Sequence, residues 1–218
     1  MAGTVWVVGA GRFGRRAAEH LAGRWRVTVV DPSAAALAAL DDLPLDRVQE
    51  DGVEFLVREM ARGCRPDWIV PALPLHLAAE WVLRGDNRGR WRRGVVPPSL
   101  RQALPNPMEG ASGDVYVTRA TFVCPEDCPE PAGRCPRTGE PRGTDLYRRI
   151  AETTSDSLPV RVVRSRQLGP GIGGYRPEAL ERLAEGMAAV TDRVAVATAC
   201  RCHGVVTCLE RAGNEEPM

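Results

Sequence analysis

Two groups of residues in this chain have types and spacings that suit chemistry. The first is Gly9-Ala10-Gly11-Arg12-Phe13-Gly14, a G-x-G-x-x-G run that leaves an apolar, β-branched stretch (Thr4 to Val8) and opens a helical pattern. In that context Gly9 makes a tight turn, Gly11 admits a diphosphate against the backbone, and Gly14 lets helix and strand approach. The amides that open the helix at Arg12 and Phe13 face the anion with the positive end of the helix dipole. Asp31 stands 17 residues after Gly14, at the end of the next β-type run. A carboxylate there accepts hydrogen bonds from both adenosine ribose hydroxyls and repels the extra phosphate of NADP. The expected cofactor is therefore NAD(H), with Gly9, Gly11, Arg12, Phe13, Gly14 and Asp31 as its binding residues.

The second group is cysteines. Cys124, Cys128 and Cys135 form C-x3-C-x6-C, each followed by proline, and Cys200, Cys202 and Cys208 form C-x-C-x5-C with His203 beside them. Proline after a ligand cysteine stiffens the loop and removes one amide, which suits a knuckle folded round a metal. Zinc would take tetrahedral ligands from the first three cysteines plus Cys200, Cys202 or His203, and an iron-sulfur cluster would use the same thiolates. The alternative is a set of small buried hydrophobes and reduced surface thiols. Cys64 has no ligand neighbours in sequence and reads as structural.

These residues need elements to place them. Residues 1–83 alternate between short β-type runs and helical patterns, which implies βαβ crossovers and a parallel sheet covered on both faces. Residues 84–113 are rich in arginine, proline and glycine and read as a linker, whose arginines, beside Trp81 and Trp91, either hold an anionic partner or stay solvated. Residues 114–218 resume an α/β rhythm, with strands expected at Val115 to Val123, Leu158 to Val163 and Val194 to Ala199. The fold class is α/β: an N-terminal Rossmann half followed by a second, cysteine-rich α/β domain. If the three later strands are parallel, the cysteine trio, Arg164-Ser165-Arg166 and Cys200 to His203 emerge at one carboxyl edge, where α/β sheets place ligands. Arg164, Ser165 and Arg166 then form an anion or substrate site beside the metal. The run Gly169 to Gly174 reads as a glycine-rich loop before a helix, with amides free for an anion.

Two histidines are candidates for proton transfer. His76 follows the fourth strand, near the expected nicotinamide edge, and either orients a carboxamide or starts a helix with no catalytic task. His203 is a metal ligand, a general acid or a bystander. Composition narrows the rest. All 29 basic residues are arginine, so a Schiff-base lysine, a lysine general base and a Walker A lysine are excluded. With 28 acidic residues and 44% hydrophobic content, neither bulk-charge binding to nucleic acid nor disorder is expected. No apolar run reaches the roughly 20 residues that span a bilayer, and no signal peptide is visible, so a cytoplasmic protein without membrane insertion is expected.

The sequence from Thr4 to Leu83, with VVGAGRFG, VVDPS, RVQEDGVEFL and PDWIVPALP, resembles the TrkA-N type of NAD-binding domain found in regulators of potassium conductance. That resemblance implies a Rossmann half that binds NAD(H) or another adenine nucleotide, with the cofactor role at Gly9, Gly11, Gly14 and Asp31, pairs as a homodimer, and reports to a transporter or channel; the cysteines add a redox partner as the other expectation. The cysteine-rich half replaces the small ligand-binding domain that follows in those regulators. The resulting expectation is a redox or nucleotide sensor with a cysteine-ligated metal. The alternative is an NAD(H)-dependent oxidoreductase with a zinc or iron-sulfur centre.

Overall fold

The computed structural model describes residues 3–86, 89–110 and 112–212. In chain order the elements are β1 (Thr4–Val8), α1 (Arg12–Leu21), β2 (Arg26–Val30), α2 (Ala34–Ala38), β3 (Asp46–Val48), α3 (Gly52–Ala61), β4 (Trp68–Pro71) and α4 (Leu77–Gly85). There follow β5 (Trp91–Gly94), α5 (Pro98–Ala103), β6 (Met108–Glu109), β7 (Val115–Thr118), α6 (Leu146–Ala151), β8 (Val160–Arg164), β9 (Arg166–Gly169), β10 (Ile172–Gly174), α7 (Pro177–Ala188), β11 (Arg193–Ala199) and β12 (His203–Arg211).

The first sheet has the order β3-β2-β1-β4 and is parallel throughout, as the alternation of strand and helix requires. Its central strand β1 is almost wholly apolar because helices cover both faces. Asp51 caps α3 by accepting from the Val53 and Glu54 amides, at 2.9 and 3.1 Å, which starts that helix where the sequence pattern places it.

The second sheet runs β6-β7-β12-β11-β8, with β5 on the far half of β12. β8 is parallel to β11, while β12 is antiparallel to both β11 and β7. β7, β8 and β11 therefore point the same way, which meets the condition for a shared carboxyl edge, but β12 lies between two of them. β12 was not foreseen, although Val205, Val206 and Thr207 carry a β-branched signal.

Three other expectations change. The stretch read as a linker contributes β5 to the second sheet, and Trp91, Val96, Leu100 and Leu104 within it are buried. Proline and glycine there mark turns between short elements rather than a solvated tether. Its arginines are also occupied: Arg84 pairs with Asp51 and Glu54, Arg90 with Asp86, Arg92 with Glu210, and Arg93 with Glu80 and Asp114. The expected strand from Val115 to Val123 ends at Thr118, and the chain leaves the sheet as the cysteine loop begins. The glycine run 169–174 is a β-hairpin of β9 and β10, turned by Gly171 at φ +71°. Its amides serve the sheet and a neighbouring loop rather than an anion.

The two sheets share a core. One buried cluster joins Val8, Leu56 and Ala78 of the first unit to Val163, Leu180 and Leu209 of the second. β10 extends this junction, because Tyr175 and Ile69 exchange backbone hydrogen bonds of 2.9 and 2.8 Å beside β4. Among the described residues no helix is long and apolar enough to cross a membrane.

Candidate functional site

The glycine loop begins where β1 ends. Gly9 has φ +108°, and its amide donates to the Val30 carbonyl at 2.8 Å, tying the loop to β2. A Cβ at Gly9 would lie 2.6 Å from the Ala72 carbonyl oxygen, and one at Gly14 would collide with the Gly9 carbonyl oxygen. Both positions are closed to any side chain. Gly11 is different: it precedes α1 with an extended conformation, and a Cβ there would meet no atom within 4 Å. The first turn of α1 has no side-chain cap and no acidic residue, so its amides remain available to an external anion. An open glycine beside uncapped amides fits a dinucleotide diphosphate.

Asp31 sits at the end of β2 as expected, with a second duty that sequence reasoning missed. Its Oδ2 accepts from the Ala10 amide at 2.7 Å and its Oδ1 from the Ser33 amide at 2.8 Å. Each oxygen keeps a lone pair for a ribose hydroxyl. The same carboxylate therefore holds the glycine loop in place and presents acceptors beside it. Arg12 and Phe13 flank the loop, with the Arg12 guanidinium 5.1 Å from the Phe13 ring centroid.

The cysteines lie close to this loop. Cys124, Cys128, Cys135, Cys200 and Cys202 line one cavity of about 520 Å³, with His203 and Ser165 also on its walls. The β9–β10 hairpin supports the first cysteines: Gln167 Nε2 and the Gly171 amide donate to the Cys128 carbonyl at 2.8 and 3.1 Å. Gly171 is required there because a Cβ would collide with the Glu126 carbonyl. Glu126, between Cys124 and Cys128, forms an ion pair with Arg12 of the glycine loop, and lies 3.8 Å from Arg16. Packing thus brings the two groups read separately from sequence next to each other.

Two turns direct amides at sulfur. The His203 amide approaches Cys200 Sγ at 3.4 Å, and the Thr138 amide, followed by that of Arg137, lowers the pKa of the Cys135 thiol below its usual value. Burial drives the Cys200 thiol the other way, up to about 12, assisted by Glu130. Arg142 is buried, points Nη1 at Cys202 Sγ, and has no hydrogen-bond partner for Nε. A buried guanidinium with no ion pair among the described residues calls for negative charge nearby, which thiolates would supply. This donor set suits a thiophilic metal. Among the described residues, however, no three His, Cys, Asp or Glu side chains are gathered closely enough to hold an ion. Cys208 is buried within β12 and packs in the core, and Cys64 is exposed near Glu59.

Two expectations at this site need correction. His76 does not face the cofactor edge. It is 2% exposed, with Nδ1 2.7 Å from Thr207 Oγ1 and Nε2 2.9 Å from Thr198 Oγ1, so both ring nitrogens are engaged between α4 and the second sheet. Arg164, Ser165 and Arg166 do not form one site either. Ser165 lines the cysteine cavity, while Arg164 and Arg166 line a separate cleft, because alternate residues of an extended chain point to opposite faces.

Comparison with known proteins agrees with this two-part construction. Residues 5–74 match the TrkA-N domain, which points to NAD(H) binding and a regulatory role for the first unit. Residues 68–212 match a family described as "Uncharacterized protein, C-terminal domain". An "Uncharacterized protein" of Archaeoglobus fulgidus is 31% identical over 221 residues, covering 94% of this chain and 99% of that relative. The chain therefore belongs to the family defined by that C-terminal domain, joined here to a TrkA-N domain.

Proposed function

We propose that this protein is an NAD(H)-responsive regulator whose glycine loop and cysteine cavity act as one unit. The observation that carries this reading is the ion pair of Arg12 with Glu126, which connects the first turn of α1 to the loop between Cys124 and Cys128. NAD(H), when bound, supplies a negatively charged diphosphate and a two-electron carrier. Arg12 then has two acceptors for one guanidinium, and turning toward the diphosphate releases Glu126. The Cys124–Cys128 loop, still held by Gln167 and Gly171, gains freedom at its other end.

The cavity is the second part of the reading. Four of Cys124, Cys128, Cys135, Cys200 and Cys202, which line the cavity without yet being gathered round one point, would have to draw together to hold zinc or an iron-sulfur cluster, giving a rigid tie or an electron acceptor. Arg142 offsets the thiolate charge, and the amides of the Cys135 and Cys200 turns steady the sulfurs. Such a regulator acts in a reducing cytoplasm on a transporter or redox partner, and pairs through its Rossmann half. The presence of His203 and Ser165 in the same cavity supports a second reading, an NAD(H)-dependent oxidoreductase with a proton donor beside its centre.

Two measurements test these statements. Arg12 and Glu126 are both exposed, so their pair is worth roughly 0.2–1 kcal/mol. Glu126→Gln is therefore expected to tighten NADH binding by up to about fivefold in calorimetry, and to raise the rate at which a thiol reagent labels the cavity. An unchanged affinity together with unchanged labelling would overturn the coupling. Elemental analysis of protein purified without oxygen is expected to find one zinc, or iron with a brown colour, per chain. Absence of both metals would remove the metal from the reading. Steady NADH oxidation by the brown form would favour the enzyme.

A further inference from the structure

A second cleft, of about 730 Å³, lies between β8, α7 and the start of β4. Arg161, Arg164, Arg166, Arg176 and Arg182 line it, against the single carboxylate of Glu178. The described arginines near Arg84 to Arg93, the other dense cluster in the sequence, are all paired. None of the five cleft arginines makes an ion pair among the described residues. Concentrating five unpaired guanidinium groups in one concavity costs mutual repulsion, which an anion would relieve.

The fold holds several of these groups in position. Arg176 stacks over the Trp68 ring at 4.8 Å and Arg164 over the Tyr147 ring at 4.1 Å, which limits their rotamers without using their hydrogen-bond donors. Arg161 lies across α7 at Gly186, where a Cβ would come within 2.8 Å of its Nε. A guanidinium fixed by stacking retains a planar fork for phosphate oxygens and loses less entropy on binding.

We propose that this cleft binds a small, multiply phosphorylated anion of the oligophosphate or nucleotide class. Its volume suits a ligand of that size. A net charge of only +1 argues against a longer polyanion held by bulk charge. The cleft is also distinct from the dinucleotide site. Trp68 opens β4 at its amino end, whereas the glycine loop leaves the carboxyl end of β1, and β1 and β4 are parallel. The regulator would then read a second phosphorylated ligand independently of NAD(H).

Calorimetry on the full chain tests this with tripolyphosphate, ATP, sulfate and a single-stranded oligonucleotide at fixed ionic strength. One tripolyphosphate or ATP per chain is expected to bind at least tenfold more tightly than sulfate. ATP binding above tripolyphosphate would identify a nucleotide, and equal binding a free oligophosphate. The exposed pair Arg166→Gln with Arg182→Gln should weaken binding at least tenfold and leave NADH binding unchanged. Gly11→Val should do the reverse. Absence of tripolyphosphate and ATP binding, equal binding of sulfate, tighter binding of the oligonucleotide, or insensitivity to the double substitution in folded protein would each overturn the proposal. A single Arg166→Gln variant with a smaller loss serves as the check should the double variant not fold.

Discussion

Gly11→Val is expected to abolish NADH binding, by a hundredfold or more, while the protein keeps its stability. The reason lies in what each glycine of the loop touches. A Cβ at Gly11 meets nothing within 4 Å and the backbone there is extended, so the folded chain tolerates valine at a cost of about 0.5 kcal/mol or less. The new side chain instead occupies the space through which a diphosphate approaches the α1 amides. Losing those contacts and adding a clash removes about 3 kcal/mol of binding, which is the hundredfold. Gly14→Ala should fail differently, because its Cβ collides with the Gly9 carbonyl and the strand-helix packing must shift. Denaturant unfolding and NADH calorimetry on the two variants separate these effects. If Gly11→Val binds NADH like the parent protein, the dinucleotide is not held at this loop.

A pH-dependent loss of stability centred on His76 is the second large effect. Burial holds its pKa down at about 4, with Arg93 acting in the same direction and Asp114 opposing. The hydrogen bonds fix its tautomer. Thr207 Oγ1 donates to Asp114, so His76 Nδ1–H must donate to Thr207, and Nε2 accepts from the Thr198 hydroxyl. The folded state therefore keeps a neutral ring, while the unfolded chain takes up a proton near pH 6.5. The stability contributed by the neutral ring is fully present above pH 6.5 and declines as the pH falls toward 4. At about 1.4 kcal/mol per pH unit this amounts to about 2 kcal/mol by pH 5. Urea unfolding at pH 7.5 and pH 5 should show that loss in the parent protein and not in His76→Gln. The charged neighbours Asp114, Arg93 and Glu80 are common to both proteins and cancel in the comparison. Equal pH dependence in the two would show that His76 is not held neutral by burial. Because His76 joins α4 to β11 and β12, acid is expected to weaken the contact between the two units first.

The corrected histidine shows why some of the site was legible and some was not. Gly9, Gly11, Gly14 and Asp31 act within a βαβ unit, where chain order and hydrophobic periodicity fix which ends face each other. His76 comes from the same rhythm, but its partners are 122 and 131 residues away in sequence. Nothing local distinguishes a histidine at an open sheet edge from one covered by a second sheet. The arginines show the same limit. Arg84 and Arg164 look alike in sequence, yet one finds Asp51 and Glu54 across the fold while the other finds the Tyr147 ring and makes no ion pair among the described residues.

The residue pattern by itself determined the parallel first sheet and the glycine loop with its acid, because each follows from periodicity of 2 or 3.6 and short connections. Tertiary structure alone decided that five cysteines surround one cavity, that Glu126 among them reaches Arg12 of the glycine loop, and that five arginines gather around the single carboxylate of Glu178. Those juxtapositions arise from burying a shared core between two sheets. The free energy of that burial depends on area removed from water rather than on sequence separation, so it leaves no local mark in the chain.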